Sequence, residues 1–295
     1  MAVLNDYFAT LLLIVSTSDF PRNVAKMDEM TRLFSPSFWV PGMTREEVMN
    51  GFFSGITEAY NLAMTDEKLS KELDIPYGSE ENQKIDIYGK VNDKLLIFFH
   101  GGYWVEGTRK DCLTPIPCAI ANGYAFASVG YGLATNGRTL SDCVKDAVKA
   151  VGFLLEKYPN VSKVVVGGHS AGAHLAFQAV VHNRNPRIQS LVLFAGCYFL
   201  QELVGTEIGN DIKLTKEEAV SNSCNLTQLE GISIKPFVFV GDLEAPKLIE
   251  QNKEFAEKVK ITKLWNLIGS GHYTIMTNLL NSESSEYKAL ESSLI

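Results

Sequence analysis

The chain has 295 residues, of which 46% are hydrophobic and 21% charged, an ordinary globular composition that excludes a largely disordered or collagen-like chain. Its 27 basic and 34 acidic residues give a net charge of −7, so it lacks the global basic field that nucleic-acid binding uses. The length fits one large domain or two small ones at about 150 residues each, and no run of about 18 apolar residues reads as a membrane span.

From the N-terminus, Phe8 to Val15 reads FATLLLIV and Ser16-Thr17-Ser18 follows, a loose match to the apolar stretch and cleavage site of a signal peptide. Asp6 and the lack of any Lys or Arg before Arg22 oppose that reading. Cys112, Cys118, Cys143, Cys197 and Cys224 are irregularly spaced and form no CxxC pair. They read as small buried hydrophobes in a reducing compartment, not as a disulfide framework or a zinc site. The expectation is a cytoplasmic protein; secretion, cleavage of residues 1–26 and a working start at Met27 stay open.

Thr44-Arg45-Glu46-Glu47 has the form of a capping box, and Val48, Phe52, Ile56 and Ala63 continue one stripe of an amphipathic helix. Near residue 84 the pattern changes. Lys84 to Tyr88 alternates like a strand, and Leu95 to Phe99 is a continuous apolar run. Directly after it, His100-Gly101-Gly102-Tyr103-Trp104 forms a glycine loop whose N–H groups can face a developing oxyanion. Tyr103 and Trp104 are candidate walls for an aromatic ring, or else core packing.

Ala125 to Val129 is the next apolar run, and Leu140 to Leu155 has a helical stripe that Thr139 and Asp142 can cap. After the run Val164 to Val166 comes Gly168-His169-Ser170-Ala171-Gly172, a G-x-S-x-G opening a helix over Ala173 to Val181. That context is a nucleophile elbow, with Ser170 as the nucleophile and the Ala171 N–H as a second oxyanion donor. Runs at Leu191 to Phe194 and Phe237 to Val240 complete the series, and residues 197–235 between them are a candidate cap. Strands of this kind alternating with helices predict a parallel α/β sheet.

A serine needs a base, and the base an orienting acid, in the chain order Ser, acid, His. Of five histidines, His272 alone lies late, in the loop Gly269 to His272. Gly241-Asp242-Leu243-Glu244-Ala245-Pro246 offers two acids, Asp242 and Glu244. The chemistry calls for no metal and no cofactor.

HGGYW (100–104), GHSAGAHL (168–175), SPSFWV (35–40), IPYG (75–78), KIDIY (84–88), YGL (131–133) and His272-Tyr273 together resemble the kynurenine formamidase (arylformamidase) family of the α/β-hydrolase superfamily. The resemblance runs from about Met27 to the C-terminal helix. Its V-G-x-x-D-x-P string falls on Val240 to Pro246 and places the family acid on Glu244, not Asp242. Phe38 stands where the family favours Arg, and Cys224 where it favours Pro.

The resemblance implies an α/β-hydrolase fold with a mostly parallel sheet flanked by helices. It implies hydrolysis of N-formyl-L-kynurenine to L-kynurenine and formate by Ser170, Glu244 and His272, with Gly101, Gly102 and Ala171 as oxyanion donors. The partner would be this small molecule, with no nucleic acid and no membrane; a homodimer is compatible. A general carboxylesterase or a non-catalytic binding protein of the same fold are the alternatives. The expected organisation is a single domain, with 1–83 a helical N-terminal extension and 84–295 the sheet-bearing core.

Overall fold

The computed structural model describes residues 27–259 and 264–294. The signal-like segment and the question of residues 1–26 lie outside the described residues. No helix among the described residues is long and apolar enough to cross a membrane.

Eight strands form one sheet: β1 Lys71–Pro76, β2 Lys84–Tyr88, β3 Lys94–Phe99, β4 Ala125–Val129, β5 Lys163–His169, β6 Ile188–Phe194, β7 Lys235–Leu243 and β8 Leu264–Gly271. Their spatial order is β1-β2-β4-β3-β5-β6-β7-β8. β1 and β2, and β2 and β4, pair antiparallel; every other pair is parallel. The continuous apolar runs are explained by two-sided burial. Along β3, Leu95, Ile97 and Phe99 enter one core cluster while Leu96 and Phe98 enter the cluster on the opposite face.

Helices cover both faces: α1 Glu29–Leu33, α2 Arg45–Thr65, α3 Ile116–Ala121, α4 Leu140–Lys157, α5 Ala171–Asn183, α6 Glu207–Asp211, α7 Lys216–Asn222, α8 Pro246–Lys258, α9 Thr274–Thr277 and α10 Ser285–Ser293. Reciprocal capping boxes start α2 (Thr44 with Glu47) and α4 (Thr139 with Asp142). This is the α/β-hydrolase arrangement.

Two boundaries differ from the sequence reading. The sheet begins before residue 84, because β1 lies within the stretch expected to be a helical extension. Only Ile75 of β1 is buried, as befits an edge strand, so the segment carries no apolar alternation to mark it. Residues 197–235 form α6, α7 and two short 3-10 turns, and none of them lines the central cavity. They pack beside α5, where the Asn222 carbonyl accepts from His174 Nε2 (2.6 Å) and Gln178 Nε2 (2.8 Å).

The roof over the strand ends comes instead from α2. Gly55 allows its close approach to α9: a Cβ there would overlap the Thr277 side chain. Phe52 of α2 meets Tyr273 with ring centroids 5.0 Å apart.

Candidate active site

Residues that end or follow β3, β5 and β8 line one cavity of about 890 Å³, its open mouth included. β5 delivers Ser170 through a turn with φ 56° and ψ −121°, a conformation that costs a non-glycine residue about 1–3 kcal/mol. Two glycines make the turn feasible. A Cβ on Gly168 would strike the Gly172 carbonyl, and one on Gly172 would strike the carbonyls of Phe99 and His100. The side chain of Ser170 stands at the N-terminus of α5, whose first N–H groups, Ala171 included, have no intrahelical acceptor.

The loop after β3 reaches the same point. A Cβ on Gly101 would lie 3.1 Å from Ser170 Cβ and 3.2 Å from His169 Nδ1, a tight fit that glycine relieves where this backbone approaches the serine. Gly102 follows with φ 104°, and its carbonyl accepts from Val105 N and Glu106 N, closing the turn.

His272 follows β8 and lines the cavity with Ser170. Its Nδ1 donates to Glu244 Oε2 at 2.6 Å, while Glu244 Oε1 accepts from Ala245 N at 2.7 Å. The Glu244 side chain is fully buried. An ionised carboxylate only accepts, so in the neutral imidazole Nδ1 carries the proton and Nε2 keeps its lone pair. Asp242 sits elsewhere: it is exposed, at an irregularity in the β7–β8 register, and accepts from Gly269 N at 2.7 Å.

His169, the residue before the serine, is buried and braces the His272 loop. Its Nε2 donates to the His272 carbonyl at 2.9 Å, and the two rings are 4.5 Å apart. Burial, then the neighbouring His272, hold His169 well below the usual histidine range, so it stays neutral. From the other side, Ser270 Oγ donates to the buried Glu286 of α10.

The two aromatic candidates separate. Tyr103 lines the cavity, and its hydroxyl donates to the Phe34 carbonyl at 2.5 Å. Trp104 is fully buried, edge-on to His174, and does not line the cavity. It is core packing, part of the cluster that also holds Phe99 and Tyr131. Met49, Phe52, Phe53 and Ile56 of α2 also line the cavity, with Tyr273 and Met276; none of them is a site candidate in the sequence, where Phe52 and Ile56 read only as positions on the helical stripe. Met49 and Phe53 are apolar residues off that stripe, and they were the available signal.

A family model described as BD-FAE matches residues 85–254. Kynurenine formamidase of Danio rerio is 27% identical over 271 residues, 86% of this chain and 92% of that protein. Kynurenine formamidase of Salmo salar is 26% identical, covering 87% and 92%. Among solved structures, a Silicibacter protein superposes with a TM-score of 0.74 at 20% identity over 89% of this chain and 97% of that one. An esterase from Pyrobaculum calidifontis gives 0.63 at 16% identity, covering 85% and 93%. A bacterial heroin esterase gives 0.59 at 17% identity, covering 84% and 91%.

Proposed function

We propose, since the chain belongs to the BD-FAE family and is a hydrolase of the α/β-hydrolase fold, that it is a serine hydrolase cleaving the formamide of N-formyl-L-kynurenine to L-kynurenine and formate. One observation carries the reading: Ser170, on its strained turn, shares a cavity with His272, whose Nδ1 is held by buried Glu244 at 2.6 Å. The substrate is supported by relatives named kynurenine formamidase that span nearly the whole chain.

In this reading Ser170 Oγ attacks the formyl carbon as His272 Nε2 takes its proton. The N–H groups of Gly101, Gly102 and Ala171 receive the oxyanion, each such donor being worth roughly 10²–10³ in rate. Collapse breaks the C–N bond, and the imidazolium returns its proton to the departing aryl amine. Water, deprotonated by the same imidazole, then releases formate from Ser170. Glu244 orients the ring and stabilises its cationic form.

The catalytic groups come from β5, β7 and β8 of a single sheet and the roof from residues before it, which supports one functional unit. All five cysteines are buried and unbridged, which supports a reducing, cytoplasmic setting. The decisive experiment gives the purified protein N-formyl-L-kynurenine and measures formate. Turnover of p-nitrophenyl esters with no formate release would instead favour the carboxylesterase reading, which the esterase fold-neighbours make the natural rival.

A further inference from the structure

One side of the cavity carries hydrogen-bond acceptors that acyl transfer does not use. His100, Glu106 and Asp111 all line it, beside the Gly101–Gly102 loop. His100 is only 2% exposed. Its Nδ1 donates to the Gly101 carbonyl at 2.8 Å, which leaves Nε2 as a lone pair. That buried nitrogen meets no hydrogen-bond partner among the described residues. Burial holds the ring down to about 4, so it remains a neutral acceptor at neutral pH.

Two carboxylates join it. Glu106 is open to solvent through the mouth but enclosed by protein, and burial together with the charge of Asp111 pushes it up. Asp111 Oδ2 accepts from Thr108 N (2.7 Å) and Thr108 Oγ1 (3.1 Å). Arg45, whose guanidinium lies over the Phe38 ring at 5.6 Å, brings a positive charge near Glu106 and Tyr273. The walls contributed by α2 are apolar. An apolar slot with acceptors along one side suits an aryl compound bearing a group that donates several N–H bonds and carries positive charge.

We propose that Glu106 and Asp111, with the His100 Nε2 lone pair, form the subsite for a primary ammonium on the leaving-group side of the substrate. Two carboxylates and a histidine lone pair offer acceptors to the N–H donors of an ammonium, and the two carboxylates outnumber the one guanidinium of Arg45 beside them, which leaves room for a second cation. The assignment rests on reading this cavity as the active site. It adds a rule that relatives and triad geometry do not supply: the enzyme selects aryl substrates that are also amines.

The test compares two substrate pairs, the first differing by the whole amino-acid portion, ammonium and carboxylate together, and the second by the ammonium alone, so that the second isolates it. One pair is N-formyl-L-kynurenine and 2-formamidoacetophenone. The other is 4-(2-aminoethyl)phenyl acetate and 4-ethylphenyl acetate. The wild-type protein should favour the amine of each pair that it cleaves. Glu106→Gln and Asp111→Asn should each lower that preference by about tenfold, the loss falling on KM, with Glu106→Asp keeping part of it. No wild-type preference, or an equal loss on both members of a pair in both variants, overturns the subsite. If neither formamide is cleaved, the formamidase reading fails, and the ester pair still decides the subsite. Asp111→Asn gives an independent reading should Glu106→Gln prove insoluble.

Discussion

Replacing Glu244 by Gln keeps the side chain's size and removes its charge. The structure dictates how the amide must sit. Ala245 N donates to one carboxylate oxygen at 2.7 Å, so the Gln carbonyl takes that place and its NH₂ faces His272 Nδ1. Two donors cannot bond, and the imidazole is driven to the opposite tautomer, with its proton on Nε2 where a lone pair is needed. The variant also loses the anion facing the imidazolium. At about 4 Å between charge centres and an effective dielectric near 20, that interaction is worth about 4 kcal/mol. A barrier increase of that size lowers kcat about a thousandfold. Asp242→Asn is the matched control. Its remaining carbonyl oxygen can still accept from Gly269 N, so kcat should fall less than about threefold. Both variants would be assayed on N-formyl-L-kynurenine and on a p-nitrophenyl ester, with thermal unfolding to establish that each is folded. A folded Glu244→Gln protein that keeps more than about a tenth of wild-type kcat, or a larger loss at Asp242, refutes the reasoning.

Ser170→Ala should abolish labelling by a fluorophosphonate probe and reduce turnover to background; undiminished activity would contradict the proposed nucleophile. Gly172→Ala should destabilise the fold by about 2–4 kcal/mol in urea unfolding, because the new methyl meets backbone carbonyls that cannot rotate aside. A neutral result there would mean the loop after β3 does not press on the elbow. Acid should unfold the protein through its buried histidines. His100 and His174 are pushed down to about 4 and His169 well below the usual histidine range, by burial first, whereas an unfolded histidine titrates near about 6.5. The unfolded chain therefore binds more protons between about pH 6.5 and 4. Stability is intact above that window and lost through it, by up to about 1.4 kcal/mol per pH unit for each histidine. His174→Gln should take one histidine's share from the slope measured between about pH 5 and 7, and an unchanged slope would argue against the assignment.

What could be read in the sequence follows how each feature is encoded. The elbow and the loop after β3 were legible because sterics force glycine into them at fixed spacing, as Gly168, Gly172 and Gly101 illustrate. His272 is the candidate by elimination, the other four histidines falling in motifs or in α5, and the structure brings it into the cavity with Ser170. Spacing alone left Asp242 and Glu244 open, since both lie in one turn. The distinction depends on a register irregularity at the end of β7 that exposes Asp242 and buries Glu244. β1 was hidden because an edge strand with a single buried residue carries no period-two signal.

The roof differs from the expectation for another reason. Residues 197–235, the candidate cap between β6 and β7, pack beside α5. The covering element is α2, whose Val48, Ile56, Ala59, Tyr60 and Ala63 are buried in the ordinary amphipathic manner. That stripe explained the helix and left Met49 and Phe53 over. A single packed face has no use for them, and in the structure they line the cavity with Phe52 and Ile56. The proposed catalytic groups thus sit on strand ends after residue 99, while much of the cavity wall is contributed by a helix some fifty residues earlier. Motifs report the first because each bond-making group needs a particular residue type. They are silent on the second because many apolar side chains can shape a wall, and only their excess over what the core requires betrays it.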